Sequence, residues 1–588
     1  MLLFLTIVLT FTQKAIGLPT IIFSTGYLSE SDTLPARYRN QPLDYRSSDV
    51  TLPQTNTIAH FDAGVAVNPL NASQVSVTTT IMDWDGNSYT AFRGPAFFYS
   101  NDAGQTWAGV PDAFDYSNAG DQEIAVNLSG RKFINYTNSE NGQNCAFTNN
   151  NGGLWTTKKV ADPPTGVAGL LYHNTLCVDN SQTSNFKNNL NSAWKQRGGL
   201  INCDHIVTAR STTNGLTWSV QTGVSNGVGD NAVNKFPDVK TGPNGEVYIC
   251  WVMEEYFTAD ENAIGFARST NGGVTWSAGK RLFDNIRGVN STQCSKNILI
   301  RTMPVMTVDN SNGPFRGTIY VAWLNVGYPG ENAGENVDIY LMKSSDHGDT
   351  WSAPIRVNSD PVPGGSNQFF PEICCDPVTG VVSTIFYDDR NCSPDQAEVW
   401  VASSCDGGES WEETVVSDHA FDVIPTPGLS YSTYVNKIGI AAHNNLVYPV
   451  WLDNSNHKPV VKISPFQLPA FTSPYITSVS TDQQTGQLSI AWNLTGSQNF
   501  SHFNIYRNGE LIATTGNYNY TEFLPSPGEY KFSVSAQYAE GESMSSSRTM
   551  QWGDARLNLT STVITLVAPT GSAFSRKFLL SNSGLLPL

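Results

Sequence analysis

Residues 100–107 read Ser-Asn-Asp-Ala-Gly-Gln-Thr-Trp, and this pattern of Ser/Thr-x-Asp/Asn-x-Gly-x-x-Trp recurs along the 588-residue chain. An Asp or Asn side chain accepts hydrogen bonds from nearby backbone amides, and Gly supplies the positive φ that closes a turn. Each copy therefore predicts a hairpin between two strands. The six copies, given by their third and eighth positions, are Asp102 and Trp107, Asn150 and Trp155, Thr213 and Trp218, Asn271 and Trp276, Asp346 and Trp351, and Asp406 and Trp411.

The hairpins belong to larger units of four strands. Residues 236–280 contain FPDVKT, GEVYICWV, AIGFARS and TWSAGK, and the same order of strands returns in the next two units. Four antiparallel strands per unit are typical of a propeller blade. A seventh unit, which lacks the eight-residue pattern, follows the last copy. The sequence therefore predicts an all-β fold with a seven-bladed β-propeller over residues 55–466. Six blades with a closing strand arrangement are the alternative.

The repeated hairpins resemble the Asp boxes, or BNR repeats, of the sialidase superfamily. The resemblance covers roughly Thr55 to Phe466 and implies that the box residues are structural. It also implies a glycoside hydrolase of the exo-sialidase type, acting on exposed glycans or glycoproteins with a carboxylic acid as proton donor and a Tyr or carboxylate as nucleophile. The family carries an early Phe/Tyr-Arg-Ile-Pro motif. The most similar segment of this chain is ARYRNQP at residues 36–42, which does not match that motif. A non-catalytic propeller that binds glycans or proteins at the cell surface or in the extracellular space is the alternative.

A second module follows the propeller. Residues 467–552 contain short alternating strands separated by turn signals. Trp492 in the second strand and Tyr530 before an alternating apolar run resemble a fibronectin type III domain, which is an immunoglobulin-like β-sandwich. Residues 553–588 look like a partial β-sandwich or a tail.

The N-terminus predicts secretion. Residues 1–17 contain an apolar run that ends in Ala-Ile-Gly, as in a signal peptide, and an N-terminal extension covers residues 18–54. A membrane anchor or a buried strand is the alternative for the first segment. No later run reaches the roughly 18–20 apolar residues of a membrane helix, so we expect no membrane insertion. Asn-x-Ser/Thr acceptors for glycans agree with secretion and occur at Asn71, Asn127, Asn135, Asn290, Asn391, Asn493, Asn499, Asn519 and Asn558.

The spacing of the cysteines predicts disulfides rather than a metal site. None of the nine cysteines has the spacing of a zinc site, so we expect disulfides, and Cys177 with Cys203 and Cys392 with Cys405 are the predicted pairs. The odd thiol stays free or bonds to another chain.

A net charge of -17 without a basic stripe argues against nucleic acid as a partner. No cofactor is expected, although the Asp-rich loops leave Ca²⁺ open, and the oligomeric state is not predicted.

The candidate site is predicted on the rim opposite the boxes. The boxes are turns between third and fourth strands, so the loops between second and third strands leave from the other rim. The predicted catalytic residues in these loops are Asp388, Asp389, Glu254, Glu255 and Tyr256. An intra-loop salt bridge is the alternative for Asp388-Asp389-Arg390, and a solvated loop is the alternative for residues 254–256.

Carboxylates beside a guanidinium suit a sugar hydroxyl or a carboxylate ligand. The predicted substrate-binding residues are Arg390, Arg93, Arg301, Asp83, Asp85 and Asp453. Convergence of the three arginines would favour the enzyme over the binding protein.

Overall fold

The computed structural model describes residues 49–110, 118–138, 140, 142–163, 170–197, 204–226, 228, 233–254, 261–289, 296, 298–361, 365–429, 434, 437–455, 458–496, 499–553, 557–559 and 580–582. These residues form 40 β-strands and no helix. Within this part of the chain, nothing has the helical length and apolarity needed to span a lipid bilayer.

Seven antiparallel sheets follow one another from residue 50 to residue 467. Sheet 1 contains β2 (Ile58–Asn68), β3 (Asn71–Trp84), β4 (Tyr89–Ser100) and β5 (Ala108–Val110); sheet 2 contains β6 (Asn118–Val126), β7 (Lys132–Asn138), β8 (Gln143–Thr148) and β9 (Thr156–Ala161); and sheet 3 contains β10 (Leu170–Val178), β11 (Leu190–Arg197), β12 (His205–Ser211) and β13 (Thr222–Gly223). Sheet 4 contains β14 (Val233–Thr241), β15 (Val247–Glu254), β16 (Ala263–Ser269) and β17 (Lys280–Asp284), and sheet 5 contains β18 (Val305–Val308), β19 (Ile319–Val326), β20 (Val337–Ser344) and β21 (Ile355–Arg356). Sheet 6 contains β22 (Gln368–Cys375), β23 (Val382–Asp388), β24 (Gln396–Ser404), β25 (Glu412–Val415) and β26 (Phe421–Asp422), and sheet 7 contains β1 (Val50–Thr51), β27 (Gly439–His443), β28 (Leu446–Asp453), β29 (Val460–Ile463) and β30 (Phe466–Gln467).

The seven sheets close into a ring. The first strand of each sheet contacts the first strand of the next, from β2 through β6, β10, β14, β18 and β22 to β27, and β27 contacts β2 again. Strand β1 comes from the N-terminal side of the ring but pairs with β29 at the outer edge of sheet 7. It lies in the stretch that the sequence assigned to the N-terminal extension. This all-β ring of mostly four-stranded sheets is consistent with a β-propeller.

The Asp boxes form the turns between third and fourth strands. In the first box the Ser100 hydroxyl donates to the Asp102 carboxylate at 2.7 Å and accepts from the Gly104 amide at 2.8 Å, while Asp102 also accepts from the Thr106 amide at 2.9 Å. Gly104 has a φ of 85°, which a residue with a Cβ rarely adopts. The box Trp packs between sheets, as Trp155 does edge-on against Phe97. The box residues therefore hold turns and packing together at this rim.

Residues 475–552 form a two-layered β-sandwich. One sheet contains β31 (Tyr475–Thr481), β32 (Gln487–Asn493) and β35 (Asn519–Phe523), and the other contains β33 (Phe500–Arg507), β34 (Glu510–Thr515), β36 (Gly528–Tyr538), β37 (Gly541–Glu542) and β38 (Ser546–Trp552). Trp492 is buried between the sheets, edge-on against Phe503. The two short strands β39 (Leu557–Leu559) and β40 (Leu580–Asn582) pair with each other.

The sandwich is docked on the last Asp box. Asp406 is buried, and its Oδ2 accepts from the Ser546 hydroxyl at 2.8 Å and from Arg548 Nη1 at 3.0 Å. Next to it, Glu412 accepts from the amide of Ser545 at 2.9 Å. The first and fifth boxes keep their carboxylates half-exposed. The sixth box therefore joins the two modules besides forming its turn.

The predicted disulfide between Cys392 and Cys405 is wrong. Both thiols are free, and the two residues stand at opposite ends of β24, a strand of 9 residues. At about 3.3 Å per residue the strand separates them by about 30 Å, whereas the Cα atoms of a disulfide lie within about 7 Å. The other predicted pair is not tested, because Cys203 lies outside the described residues; Cys177 is buried.

Candidate active site

The innermost strands share an unusual backbone feature. In five sheets, the pairing between the first and the second strand shifts register within the first strand. At or beside each shift lies a residue with a positive φ that is not a glycine. These residues are Asp62 (47°), Asp121 (54°), His173 (56°), Phe236 (53°) and Phe370 (52°). A left-handed backbone costs a residue with a Cβ about 1 kcal/mol or more, and bulges of this kind cluster near active sites. The bulges mark the centre of the ring as a candidate site.

A cavity of about 100 Å³ lies at this centre. Each of the seven sheets, or the segment that leads into it, contributes to its lining, through Asp62, Asp121, His173, Phe236, Arg301, Glu372 and Lys437. Typical small-molecule sites measure about 300–1,000 Å³. The cavity therefore admits a few water molecules or one substituent of a ligand, and a sugar ring would have to lie at its mouth.

Glu372 is the titratable group whose position in the cavity matters most for chemistry. Burial raises its pKa to about 7, the attraction of Lys437 opposes this shift, and the nearby Asp238 carboxylate adds to it. Lys437 donates to Glu123, and Lys240 forms an ion pair with Asp238. Glu372 therefore exchanges its proton near neutral pH beside carboxylates that have their own cationic partners.

A second group of side chains surrounds His173. Its backbone amide donates to the Asp121 carboxylate at 2.7 Å, and its ring packs on Phe236 with the centroids 4.1 Å apart. Burial lowers the pKa of His173 well below its usual range, and the positive charges of Lys195, Arg301 and Lys235 lower it further. His173 is therefore a neutral imidazole at pH 7. Burial raises the pKa of Asp121, against the hydrogen bond from His173 and the charges of Arg301 and Lys437.

Arg301 is the second cation in the cavity lining, and its charge opposes the rise in the pKa of Asp121. Its guanidinium lies 5.7 Å from the centroid of the Phe236 ring. The Nε atom is buried and has no hydrogen-bond partner, and no ion pair of Arg301 occurs in the described part of the chain. An unpaired guanidinium beside an aromatic ring is suited to an anionic or hydroxyl-rich ligand.

Arg390, by contrast, is fully engaged within sheet 6. Its Nη2 atom lies 2.6 Å from Asp388 and 2.8 Å from Glu413, and its guanidinium lies 4.2 Å from the centroid of the Trp400 ring. Burial raises the pKa of Asp388 to about 6, and Arg390 opposes that shift. These contacts correspond to the intra-loop salt bridge that was the alternative for this loop.

Asp389 holds the neighbouring loop rather than lining the cavity. Its carboxylate accepts from the backbone amide of Asn367 at 2.6 Å and pairs with Lys296 at 3.1 Å. Glu254 pairs with Lys235 at 3.0 Å. Glu255 and Tyr256 lie outside the described residues. The catalytic roles predicted for these residues stay predictions.

The remaining predicted binding residues also have local partners. Arg93 pairs with Asp83 at 2.8 Å, and Asp85 accepts from the amide of Ser88 at 2.8 Å. Asp453 accepts from the amide of Ser455 at 2.7 Å. Of the three predicted arginines, Arg301 lines the central cavity, and the other two are paired within their own sheets.

Sequence reasoning missed most of the cavity lining. The missed residues are Asp62, Asp121, His173, Phe236, Asp238, Glu372 and Lys437. One signal was present, because Phe-Pro-Asp at 236–238 and Phe-Pro-Glu at 370–372 place a proline inside a strand, where it marks a bulge.

One group of side chains brings three metal-ligand atoms together. Asp49, Asp418 and His419 place these atoms within 4.8 Å of one another near the protein surface. Ca²⁺ takes about 6–8 oxygen ligands, and two carboxylates with an imidazole supply too few. The cluster therefore gives no support to the expectation that the chain could bind Ca²⁺.

Comparison with known proteins gives no family. No protein-family model and no curated protein matches the chain. The similar solved structures include the α-L-arabinofuranosidase Arb93A from Fusarium graminearum, at 12% identity over 72% of this chain and 98% of that chain with a TM-score of 0.38. They also include the polysaccharide lyase Uly1, at 11% identity over 73% of this chain and 93% of that chain with a TM-score of 0.40. The α-L-arabinanase of Penicillium chrysogenum matches at 13% identity over 59% of this chain and 92% of that chain, with a TM-score of 0.36. Similarity at this level carries no conclusion about the activity of this chain.

Proposed function

We propose that this chain is a secreted glycoside hydrolase that acts on exposed glycans from the centre of a seven-bladed β-propeller, one blade per sheet. The observation that supports this function is a pair of carboxyl groups, Glu372 and Asp238. Both line the central cavity, and Asp238 is close enough to raise the pKa of Glu372. Two carboxyl groups with separated roles are what glycoside hydrolysis requires.

In this mechanism Glu372 is the proton donor. With its pKa near 7 it holds a proton at neutral pH and can pass it to the oxygen of the leaving group. As the bond between the anomeric carbon and the leaving oxygen breaks, Asp238, held by Lys240 and by the backbone amide of Met306 at 2.7 Å, stabilises the positive charge that develops on the sugar. A water molecule forms the new bond to the anomeric carbon and passes a proton to the Glu372 carboxylate, which restores the acid. The sugar ring lies at the mouth of the cavity, because the cavity itself is too small for it.

Arg301 sets the substrate class in this proposal. A guanidinium in the cavity lining that forms no ion pair within the described residues favours a sugar that carries a carboxylate. A sialoside is the first such substrate to test, and a uronide is the second. The substrate would be gripped by this one arginine, since Arg93 and Arg390 are paired elsewhere.

A panel of fluorogenic glycosides tests the proposal. It contains sialosides, uronides and neutral pentosides and hexosides. We expect turnover of an acidic glycoside and a loss of about 10²–10⁴-fold in kcat/KM for Glu372→Gln. Glu510→Gln is the matched control, because Glu510 is exposed on the sandwich. No turnover of any glycoside would sink the proposal, and an active Glu372→Gln variant would exclude Glu372 as the acid.

A non-catalytic, glycan-binding propeller is the second candidate. It is favoured by the small cavity and by the ion pairs that neutralise charges inside it, Lys437 with Glu123 and Lys240 with Asp238. Binding of acidic glycans on an array, together with no release of sugar over long incubation, would support this candidate instead. Loss of that binding in the Arg301→Gln variant would assign the glycan-binding site to the mouth of the central cavity.

We also propose that the sandwich is a fibronectin type III-like module and that residues 1–17 are removed on secretion. The Tyr530 hydroxyl donates to the carbonyl of Ser526, four residues upstream, at 2.7 Å, as in the tyrosine corner of such sandwiches. N-terminal sequencing of the secreted chain tests the cleavage, and we expect the mature protein to begin at Leu18.

A further inference from the structure

The glycan acceptor motifs divide sharply by burial. Asn127 and Asn135 are 1% and 0% exposed, and the Asn135 amide donates to Ser192 at 2.6 Å. A glycan on either amide would have no room in the folded chain. Asn290 and the side chain of Asn558 lie outside the described parts. The exposed acceptors are Asn71, Asn391, Asn493, Asn499 and Asn519.

Asn499 differs from the other exposed acceptors because it borders a groove. The groove has a volume of about 380 Å³ and is lined by Phe471, Thr472, Tyr538 and Glu540, among others. This volume lies within the range of about 300–1,000 Å³ that is typical of small-molecule sites. It is larger than the central cavity, yet it lies on the sandwich and away from the charged groups of the ring.

The lining of the groove is preformed. The rings of Phe471 and Tyr538 stack with centroids 5.1 Å apart and planes 13° apart. The Tyr538 hydroxyl donates to the carbonyl of Thr472 at 2.8 Å, which fixes the linker before the sandwich against β36. Phe471 is half-buried and Tyr538 is 6% exposed, so the groove offers mainly the open part of the Phe471 ring beside the Glu540 carboxylate. Apolar and polar groups of this kind suit the C–H and O–H groups of a sugar.

The acceptor itself is held at the rim. Phe500, the middle residue of the motif Asn499-Phe500-Ser501, packs edge-on against Tyr538 with the ring centroids 6.1 Å apart and at a tilt against Phe503 with the centroids 4.6 Å apart. Asn499 is therefore anchored next to the same ring that lines the groove. A sugar attached to its amide would be tethered within reach of the groove, and such a tether raises the effective concentration of the sugar there.

We infer that Asn499 carries an N-linked glycan whose first N-acetylhexosamine lies in the groove against Phe471 and Tyr538. In the modification, a bond forms between Asn499 Nδ2 and the anomeric carbon of the sugar, and the bond from that carbon to the pyrophosphate of a lipid-linked oligosaccharide breaks. The amide proton passes to the transferase, and the lipid pyrophosphate leaves. The inference rests on the secretory route proposed above and is independent of the proposed catalysis.

The test uses the full chain secreted from a eukaryotic cell. Peptide-N-glycosidase in ¹⁸O-water converts each occupied Asn to a labelled Asp, which mass spectrometry locates. We expect label at Asn499 and none at Asn127 or Asn135. On the native protein, release at Asn499 should be at least about fivefold slower than at Asn519, because the first sugar must leave the groove before the enzyme can cut.

The Phe471→Leu variant distinguishes a sugar that lies in the groove from a sugar that is attached to Asn499 without contacting the groove. The variant keeps an apolar side chain but loses the aromatic face, so the rate difference between Asn499 and Asn519 should vanish while both stay occupied. Urea unfolding followed by tryptophan fluorescence reports whether the variant is folded, since Trp492 lies in the core of the sandwich. An unmodified Asn499 beside an occupied Asn519 overturns the inference, as do equal release rates at the two sites in the parent chain. A chain with every acceptor bare overturns the secretory proposal as well.

Discussion

The replacement Glu372→Gln tests the buried carboxyl group through stability as well as activity. An ordinary Glu titrates with a pKa of 4.5, and burial in the central cavity raises that of Glu372 to about 7. Between these two values the folded chain binds more protons than the unfolded chain, so the stability of the folded chain falls as the pH rises. A shift of this size corresponds to about 3 kcal/mol, fully developed above pH 7.

Gln is neutral at every pH and keeps an oxygen that can accept from the Ile373 amide, as Glu372 does at 3.2 Å. The difference in unfolding free energy between the variant and the parent should therefore increase from pH 4.5 to pH 7 by about 3 kcal/mol, in favour of the variant, and then stay level. Urea unfolding at pH 5, 6, 7 and 8, followed by tryptophan fluorescence, measures this difference, with Glu510→Gln as a control that should show none.

A difference that stays constant with pH would refute the reasoning. A difference that moves in favour of the parent as the pH rises would also refute it, since it would mean that Lys437 and Lys240 outweigh burial and keep Glu372 ionised. The same titration should appear in catalysis, because a proton donor with a pKa near 7 loses activity as the pH rises through that value.

Three further outcomes follow from the contacts. Arg301→Gln should lower kcat/KM for an acidic glycoside by roughly 10- to 100-fold, and much less for a neutral one, because a charge-assisted hydrogen bond is lost; equal losses on both would contradict a role in binding the acid. Asp406→Ala should destabilise the chain by about 2 kcal/mol more than Asp346→Ala in urea unfolding, because only Asp406 also holds the sandwich. Cys392 and Cys405 should each take up one maleimide after unfolding without reductant, and a linked peptide on mass spectrometry would disprove their separation along β24.

The sheets could be predicted because their determinants are local. The box turns are set by side chains within four residues of one another, as Ser100, Asp102 and Gly104 show. The closing strand β1 could not be predicted in the same way. Val50 and Thr51 have no turn signal of their own, and their partner strand β29 lies some 400 residues away in the sequence. Pairing at such a distance leaves no local pattern.

The disulfide prediction failed for a related reason. Cys392 and Cys405 flank a short insertion in the sequence, and proximity along the chain was taken as proximity in space. The intervening residues form one extended strand, β24, which carries the two thiols to opposite rims. Spacing predicts a bridge only where the chain between the cysteines turns back.

The sequence predicts the site in the loops between second and third strands because these loops leave from the rim opposite the boxes. Asp388, Asp389 and Arg390 lie where β23 ends and one of these loops begins, but they find their partners within sheet 6 and its neighbours. Most of the cavity residues lie inside the innermost strands, where strict alternation would assign them to one face or the other. A bulge changes that alternation by one residue, so the face of Glu372 follows only once the bulge at Phe370 is known.

The energetics of the ring favour the centre over the rims as the functional part. Five left-handed residues that are not glycine cost about 1–3 kcal/mol each, and together they approach the net stability of a typical domain. The cavity also holds the half-buried charged groups Glu372 and Lys437 where well-packed apolar side chains would be as stable or more so. The boxes, by contrast, place each carboxylate in a turn that it stabilises. Residues other than glycine with positive φ also occur in the box turns, as Ala103 and His347 show, but only at the centre of the ring do five of them lie beside charged side chains that line one cavity. That combination indicates chemistry or binding at the centre.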